Sequence, residues 1–193
     1  MTTSNDTVAI IPGRFQPFTP VHASMYWQAK SLFDDVIIGV KDYPILDVNN
    51  PFTLEERLEI VDTVIGDPSL LVRVVEQSPY NIDEYTHEGD VYDTDKVVFI
   101  VGSKDKDRFR PSNCGTEGKF LQYFTSTDEI NTCNQNAYVY FTDTMNKSGF
   151  MSATQIRNVY RVVDNKSKFI ERLYNTTGNK TTQLVKLFNR RLL

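Results

Sequence analysis

Five short apolar runs punctuate the chain: Val8–Pro12, Val36–Val40, Leu70–Val75, Lys96–Val101 and Ala137–Phe141. They are continuous rather than alternating, the pattern of strands buried on both faces of a parallel sheet. Helical spacing fills several of the gaps. His22–Phe33 sets Met25, Tyr26, Ala29, Leu32 and Phe33 along one side, with Trp27 off that stripe and expected to be half-covered by a neighbouring element. Thr53–Ile65 opens on the capping-box pattern Thr53-Leu54-Glu55-Glu56 and carries Leu54, Leu58, Ile60, Val61, Val64 and Ile65 on its apolar positions. A weaker helix is predicted around Glu117–Phe124.

From Ser152 onward the spacing is helical to the end: Ser152–Val163, Lys166–Asn175 and Thr181–Leu192, with Gly178 separating the last two. The alternation predicts an α/β chain with a Rossmann-like open parallel sheet of about five strands, helices on both faces and a helical C-terminal segment. The expected division is a domain over residues 1–163 and a helical extension, 164–193, packed on it. Gln77–Asp95 is long, polar and acidic, and reads as a mobile loop or an insertion near the ligand site. In such sheets ligands bind beyond the carboxyl ends of the strands, which singles out Gly13–Val21 and Gly102–Arg110.

Composition narrows the partners. With 40% apolar and 24% charged residues the chain can bury an ordinary core. A net charge of -4 argues against a general nucleic-acid binder but not against one basic cleft. No apolar stretch is long enough to span a membrane, and MTTSNDT lacks the pattern of a secretory signal, so a cytoplasmic protein is expected. Cys114 and Cys133 match neither CxxC nor a zinc spacing and read as free thiols in a reducing compartment; no protein-bound metal is expected. Cys114–Lys119 glances at a phosphate-binding loop, but Phe120 stands where Ser or Thr is needed. Arg190 and Arg191, with Lys180 and Lys186, suit the dipole of a last helix better than a nucleic acid.

The chemistry concentrates in two stretches. In the first, Gly13 allows a sharp turn after the strand, Arg14 projects a fixed charge, and Pro12, Pro17 and Pro20 stiffen the loop. His22 then falls in the first turn of a helix, where backbone amides already favour an anion. The second stretch is Gly149–Arg157, where Ser152 and Gln155 form a capping-box pattern, Thr154 lies in the first turn and Arg157 one turn on. Two such anion sites at two helix starts point to a nucleoside triphosphate held from both sides.

These residues carry a resemblance. GRFQPFTPVH (13–22) is similar to the GRFQPFHxGH signature of the nucleotidylyltransferase superfamily, most like nicotinamide-mononucleotide (NMN) adenylyltransferases. MSATQIR (151–157) resembles its second signature, ISxTxxR. Asn50-Pro51-Phe52-Thr53 with Glu56-Arg57 resembles the NPFT-x-x-ER element of archaeal-type NMN adenylyltransferases, and Val101-Gly102-Ser103-Lys104-Asp105 the loop after the fourth strand. The GxMSAT form is similar to that of members encoded by large bacteriophages, which would make the location a host cytoplasm. Three departures stand out: Thr19 replaces a signature histidine, as in the pantetheine-phosphate branch; Val21 replaces a glycine; and Ser78–Asp95 has no tryptophan beside the nicotinamide position, only Tyr80, Tyr85 and Tyr92.

The resemblance implies transfer of AMP from ATP to NMN, giving NAD and pyrophosphate by in-line attack of the acceptor phosphate on the α-phosphate. It implies His22, Thr19 and Arg157 as catalytic, with Gly13, Arg14, Phe15, Gln16, Gly102, Asp105, Ser152 and Thr154 as nucleotide-binding. Lys41 is the candidate for the acceptor phosphate. Mg²⁺ is expected on the triphosphate rather than in a protein cage. Two alternatives stay open: a CTP-dependent cytidylyltransferase acting on a small phosphorylated substrate, and a nucleotide-binding protein with weak or no catalysis. A homo-oligomer is compatible with relatives that form rings or dimers.

Overall fold

Branched and aromatic residues in continuous runs build the sheet, because such side chains pack well on a pleated surface that is covered rather than wetted. The computed structural model describes residues 7–85, 96–109, 121–124, 137–142 and 151–193. Six strands lie in it: β1 (Thr7–Gly13), β2 (Asp35–Lys41), β3 (Leu71–Val75), β4 (Lys96–Gly102), β5 (Leu121–Tyr123) and β6 (Ala137–Thr142). All pair in parallel, in the order β3-β2-β1-β4-β6-β5. β1 is central, with Ile10 opposite Ile37 on one side and Phe99 on the other. The α/β Rossmann-like class holds, with six strands rather than about five.

Five helices of two turns or more occur among the described residues: α1 (Pro20–Lys30), α2 (Leu54–Ile65), α3 (Ala153–Val162), α4 (Lys166–Tyr174) and α5 (Gly178–Leu192). None is long and apolar enough to cross a membrane. Several boundaries differ from expectation, each for a local reason. α1 starts two residues before His22, because Pro20 suits the first helical position. It ends at Lys30, where Leu32 and Phe33 turn their amides onto the Ala29 carbonyl, leaving Leu32 exposed. Trp27 is half exposed, edge-on to Tyr26. The predicted Glu117–Phe124 helix is wrong where it can be seen: Leu121–Tyr123 is an edge strand paired with β6, and Phe124 donates to the Val139 carbonyl. Gly178 is the first residue of α5 rather than a separator; the break falls at Asn175, which takes the left-handed conformation. Cys114, Cys133 and Tyr92 lie outside the described residues.

The described chain forms two compact units. Unit 1 takes residues 1–13, 25–41 and 71–148 and contains the sheet. Its core includes Val8, Ile10, Ile37, Val97, Phe99 and Val139. The expected loop after β3 contributes to it: Tyr85 is fully buried in this core, and its hydroxyl donates to the Pro79 carbonyl at 3.0 Å. A methyl on Gly39 would run into that same hydroxyl, so β2 requires glycine there. Tyr85 is thus a core residue, which removes it from the aromatic candidates for ligand stacking.

Unit 2 takes residues 14–24, 42–70 and 149–193. Here α5 packs on α2, α3 and α4. Phe188 of α5 stacks with Phe52 and Tyr160 at centroid distances of 5.2 and 5.1 Å. Glu56 closes the α2 capping box with Thr53 and also accepts from Arg191 Nε at 2.6 Å and Arg190 Nη1 at 3.3 Å. The basic end of α5 therefore meets a carboxylate in the first turn of α2, a favourable end for both dipoles.

Candidate functional site

The loop that follows β1 is buried and irregular, so its backbone polar groups need partners other than a ladder. Gly13 ends β1 opposite Val40 and is not the turning point; the left-handed residue is Phe15, at φ 51°. A non-glycine residue in that region costs on the order of 1 kcal/mol or more and persists only where its surroundings hold it. They do. Arg57, fully buried in α2, donates from Nη1 to the Arg14 carbonyl at 2.9 Å and from Nε to the Thr53 carbonyl at 3.3 Å. Gln16 clamps Phe52 at both ends: its Nε2 donates to the Phe52 carbonyl and its Oε1 accepts from the Phe52 amide, each at 2.9 Å. Arg157 Nη1 donates to the Gln16 carbonyl. The Gln16 side chain is thus committed to the neighbouring loop.

At the start of α1, Thr19 occupies the N-cap and His22 the third helical position. The His22 amide meets Thr19 Oγ1 at 3.5 Å, while the Thr19 amide donates to His22 Nδ1 at 3.0 Å. This is a capping box in which histidine replaces the usual Glu or Gln. The geometry has a chemical consequence. A backbone amide can only donate, so Nδ1 is the acceptor, and the proton of the neutral ring sits on Nε2. Phe15 and Phe18 pack against the ring at 5.0 and 5.2 Å and fix its plane. Thr19 itself is buried, its Oγ1 3.1 Å from Nδ1.

A second wall comes from α3. Ser152 and Gln155 form the capping box expected from the sequence, with Ser152 N donating to Gln155 Oε1 at 2.8 Å. The cap sets Thr154 and Arg157 three residues apart on one helix face, and Arg157 Nη2 donates to Thr154 Oγ1 at 3.2 Å. Arg157 is 5% exposed. Burial, followed by the positive charge of Arg161, pulls its guanidinium below the ordinary arginine value; Asp47 opposes this and Arg14 adds to it. It remains a cation at neutral pH. Two arginines that repel one another across a cavity are an arrangement that an anion relieves.

The third wall is the segment after β2. Asp47 accepts from the Asn49 and Asn50 amides at 2.7 and 2.8 Å and from Asn50 Nδ2 at 3.1 Å, which rigidifies the turn. Those bonds, the Asn50 side chain first, hold its carboxyl below the usual range. Arg14 Nη1 donates to Asn50 Oδ1 at 3.3 Å, with the Tyr43 ring 5.9 Å from its guanidinium carbon.

Together these walls line a cavity of about 580 Å³, every lining residue of which belongs to unit 2. Of the residues expected from the sequence, Arg14, Phe15, Gln16, His22, Thr154 and Arg157 line it. Thr19 holds the His22 ring, and Ser152 caps the helix that carries Thr154. Lys41, Gly102 and Asp105 belong to unit 1: Lys41 Nζ donates to the Glu76 carbonyl, Gly102 ends β4, and Asp105 closes a single 3₁₀ turn. The sequence reading missed Tyr43, Asp47, Asn49 and the lining role of Asn50. Its available signal was the cluster Asp47-Val48-Asn49-Asn50, dense in residues that cap their own backbone. Among the described residues, no group of three or more His, Cys, Asp or Glu side chains comes together to hold a metal.

Known proteins share this architecture and parts of this sequence. The nicotinic acid mononucleotide adenylyltransferase of Plasmodium falciparum superposes with a TM-score of 0.59 at 12% identity, covering 97% of this chain and 99% of that one. A bifunctional NMN adenylyltransferase/ADP ribose pyrophosphatase from Francisella tularensis gives 0.56 at 12% identity, covering 95% of this chain and 51% of its own. At such identities the likeness is one of fold. In sequence, a phosphopantetheine adenylyltransferase from Polynucleobacter necessarius subsp. necessarius (strain STIR1) is 42% identical over 64 residues, 31% of this chain. The chain spans about a third of the length of the curated relatives it matches, 35% in that case. The pattern of the cytidylyltransferase-like family matches residues 10–159, most of the chain, including the loop after β1 and the start of α3 that line the cavity. The chain belongs to the cytidylyltransferase-like family.

Proposed function

We propose that the chain is a nucleotidylyltransferase that moves AMP from ATP to NMN. The observation that carries this reading is the convergence, in one cavity, of the oriented His22 ring with Arg14 and Arg157. An acceptor phosphate is already ionised near neutral pH, so neither a general base nor an enzyme nucleophile is required. One of its oxygens bonds to the α-phosphorus as the α–β bridging bond breaks, and pyrophosphate leaves with that electron pair. The task left to the protein is alignment and stabilisation of the charge that builds.

In this reading His22 donates its Nε2 proton as a hydrogen bond to the α-phosphate, without transferring it. Arg157, with Ser152 and Thr154 at the start of α3, binds the β- and γ-phosphates, and Arg14 approaches them from the facing wall. Thr19 acts through the ring by holding Nδ1. Magnesium enters with the triphosphate as part of the substrate.

A second acceptor, 4′-phosphopantetheine, is favoured by one observation: curated relatives at 41–45% identity over 31% of this chain are phosphopantetheine adenylyltransferases. Thr19 at the signature position agrees with it. The test incubates the protein and Mg²⁺ with ATP or CTP against NMN, nicotinic acid mononucleotide and 4′-phosphopantetheine, and weighs the products by mass spectrometry. A dinucleotide formed from ATP and NMN supports the leading reading. Dephospho-coenzyme A would move the protein to the second, and product from CTP alone would overturn both.

A further inference from the structure

The family match ends at residue 159, before α4 and α5 begin, yet α4 reaches the loop that carries the histidine. The Tyr174 hydroxyl donates to the Phe18 carbonyl at 2.7 Å in a buried setting. Phe18 immediately precedes Thr19, and its own ring packs on His22 at 5.2 Å and on Phe15 at 5.2 Å. Three alternate carbonyls of this loop, those of Arg14, Gln16 and Phe18, are therefore taken by side chains of three different helices: Arg57, Arg157 and Tyr174. The first two lie inside the region of family similarity. The third does not.

We infer that Tyr174 is a positioning residue for the transfer reaction, acting through Phe18 and Thr19 to hold the His22 ring with its proton on Nε2. The inference rests on the proposed function for its kinetic readout and on geometry for its structural one. Tyr174 is the last residue of α4, and its place is fixed from both sides. Asn165 caps the start of the helix by accepting from Lys168 N at 2.9 Å, and Asn175 stops it in the left-handed conformation. The Tyr174 ring meets Phe188 at 6.2 Å, and Phe188 in turn packs on Phe52, whose backbone clamps Gln16. Burial raises the Tyr174 hydroxyl far above its ordinary ionisation range, so it remains a neutral donor at every working pH. Removing that hydroxyl leaves a buried carbonyl without its donor one residue from the N-cap that orients the imidazole.

The test uses the full chain, Tyr174→Phe, and Tyr160→Phe as a matched control. Among the described residues the Tyr160 hydroxyl is bonded to Asn189 Oδ1 at 2.8 Å and the Val185 carbonyl at 3.3 Å, both on α5. Turnover and KM for ATP are measured well below the melting temperature of every variant. The chain has only two histidines, so ¹⁵N-histidine spectra of the protein and of His87→Gln assign the His22 nitrogens. The expected result is a fall in kcat of roughly ten-fold for Tyr174→Phe, with KM for ATP within about two-fold, and a mixture of His22 tautomers. Tyr160→Phe keeps the wild-type kcat and a single Nε2–H tautomer. The inference is overturned if Tyr174→Phe turns over like the wild type, if Tyr160→Phe loses as much, or if wild-type His22 carries its proton on Nδ1. Should the wild type transfer nothing to any acceptor, the functional reading fails while the tautomer spectra still decide this one.

Discussion

The two units are stabilised in different ways. In unit 1 the strands carry runs of Val, Ile and Phe, and the sheet ladder satisfies the backbone. Unit 2 holds nine of the twelve buried polar or charged side chains found among the described residues, including all three charged ones, Glu56, Arg57 and Arg157. Burying such groups costs stability unless each is hydrogen-bonded. Here Gln16, Arg57 and Arg157 bond to loop backbone and Thr19 and Glu56 to helix starts, so polar groups do for irregular chain what the ladder does for strands. The difference teaches where precision is needed. A sheet tolerates small shifts in packing, whereas the loop that carries Arg14 and leads into His22 is held at individual carbonyls.

Substitutions sharpen that contrast, the largest effect first. His22→Ala should lower turnover by roughly 10²–10³-fold and stability by only about 1 kcal/mol, since it removes one donor and the His22 half of the α1 capping box but leaves the Arg57, Arg157 and Tyr174 clamps intact. Initial rates of pyrophosphate release and a melting curve check both halves. Arg57→Leu should lower both stability and turnover: two carbonyls, of Arg14 and Thr53, lose a charged donor, a cost of about 2–3 kcal/mol in urea unfolding. Gly39→Ala is the counterpart in the sheet. Its methyl meets the Tyr85 hydroxyl, so stability should fall by about 2 kcal/mol, while kcat per folded molecule stays at the wild-type value. A loss of kcat there as large as in Arg57→Leu would break the contrast between the units. Thr53→Ala removes one half of the α2 capping box and should cost about 1 kcal/mol, with a smaller effect on turnover than Arg57→Leu.

Much of this was legible in the sequence, because short-range rules govern it. The apolar runs named five of the six strands, and the patterns at Thr53–Glu56 and Ser152–Gln155 named two capping boxes that the structure contains. β5 was misread as helix because three residues, Leu121–Tyr123, are too few to show a period. Tyr85 was read as part of a polar loop because its burial depends on a glycine forty-six positions earlier in β2. For the site, the sequence named six of the residues that line the cavity. What it did not supply were the long-range clamps: Gln16 to Phe52, Arg57 to Arg14 and Tyr174 to Phe18. Each joins segments far apart in the chain, and no local pattern encodes such a pairing. The bond from the Thr19 amide to the His22 ring was also hidden: the resemblance implied a catalytic threonine, and no local pattern ties its backbone to the ring three residues on.

The most direct test of the central claim is the rate of pyrophosphate release from Mg·ATP in the presence of NMN or 4′-phosphopantetheine, measured side by side for the wild type and His22→Ala. The account predicts acceptor-dependent release by the wild type, reduced by two to three orders of magnitude in the variant while ATP is still bound. Undiminished release by His22→Ala, or ATP binding by the wild type with no release for any acceptor, would contradict it.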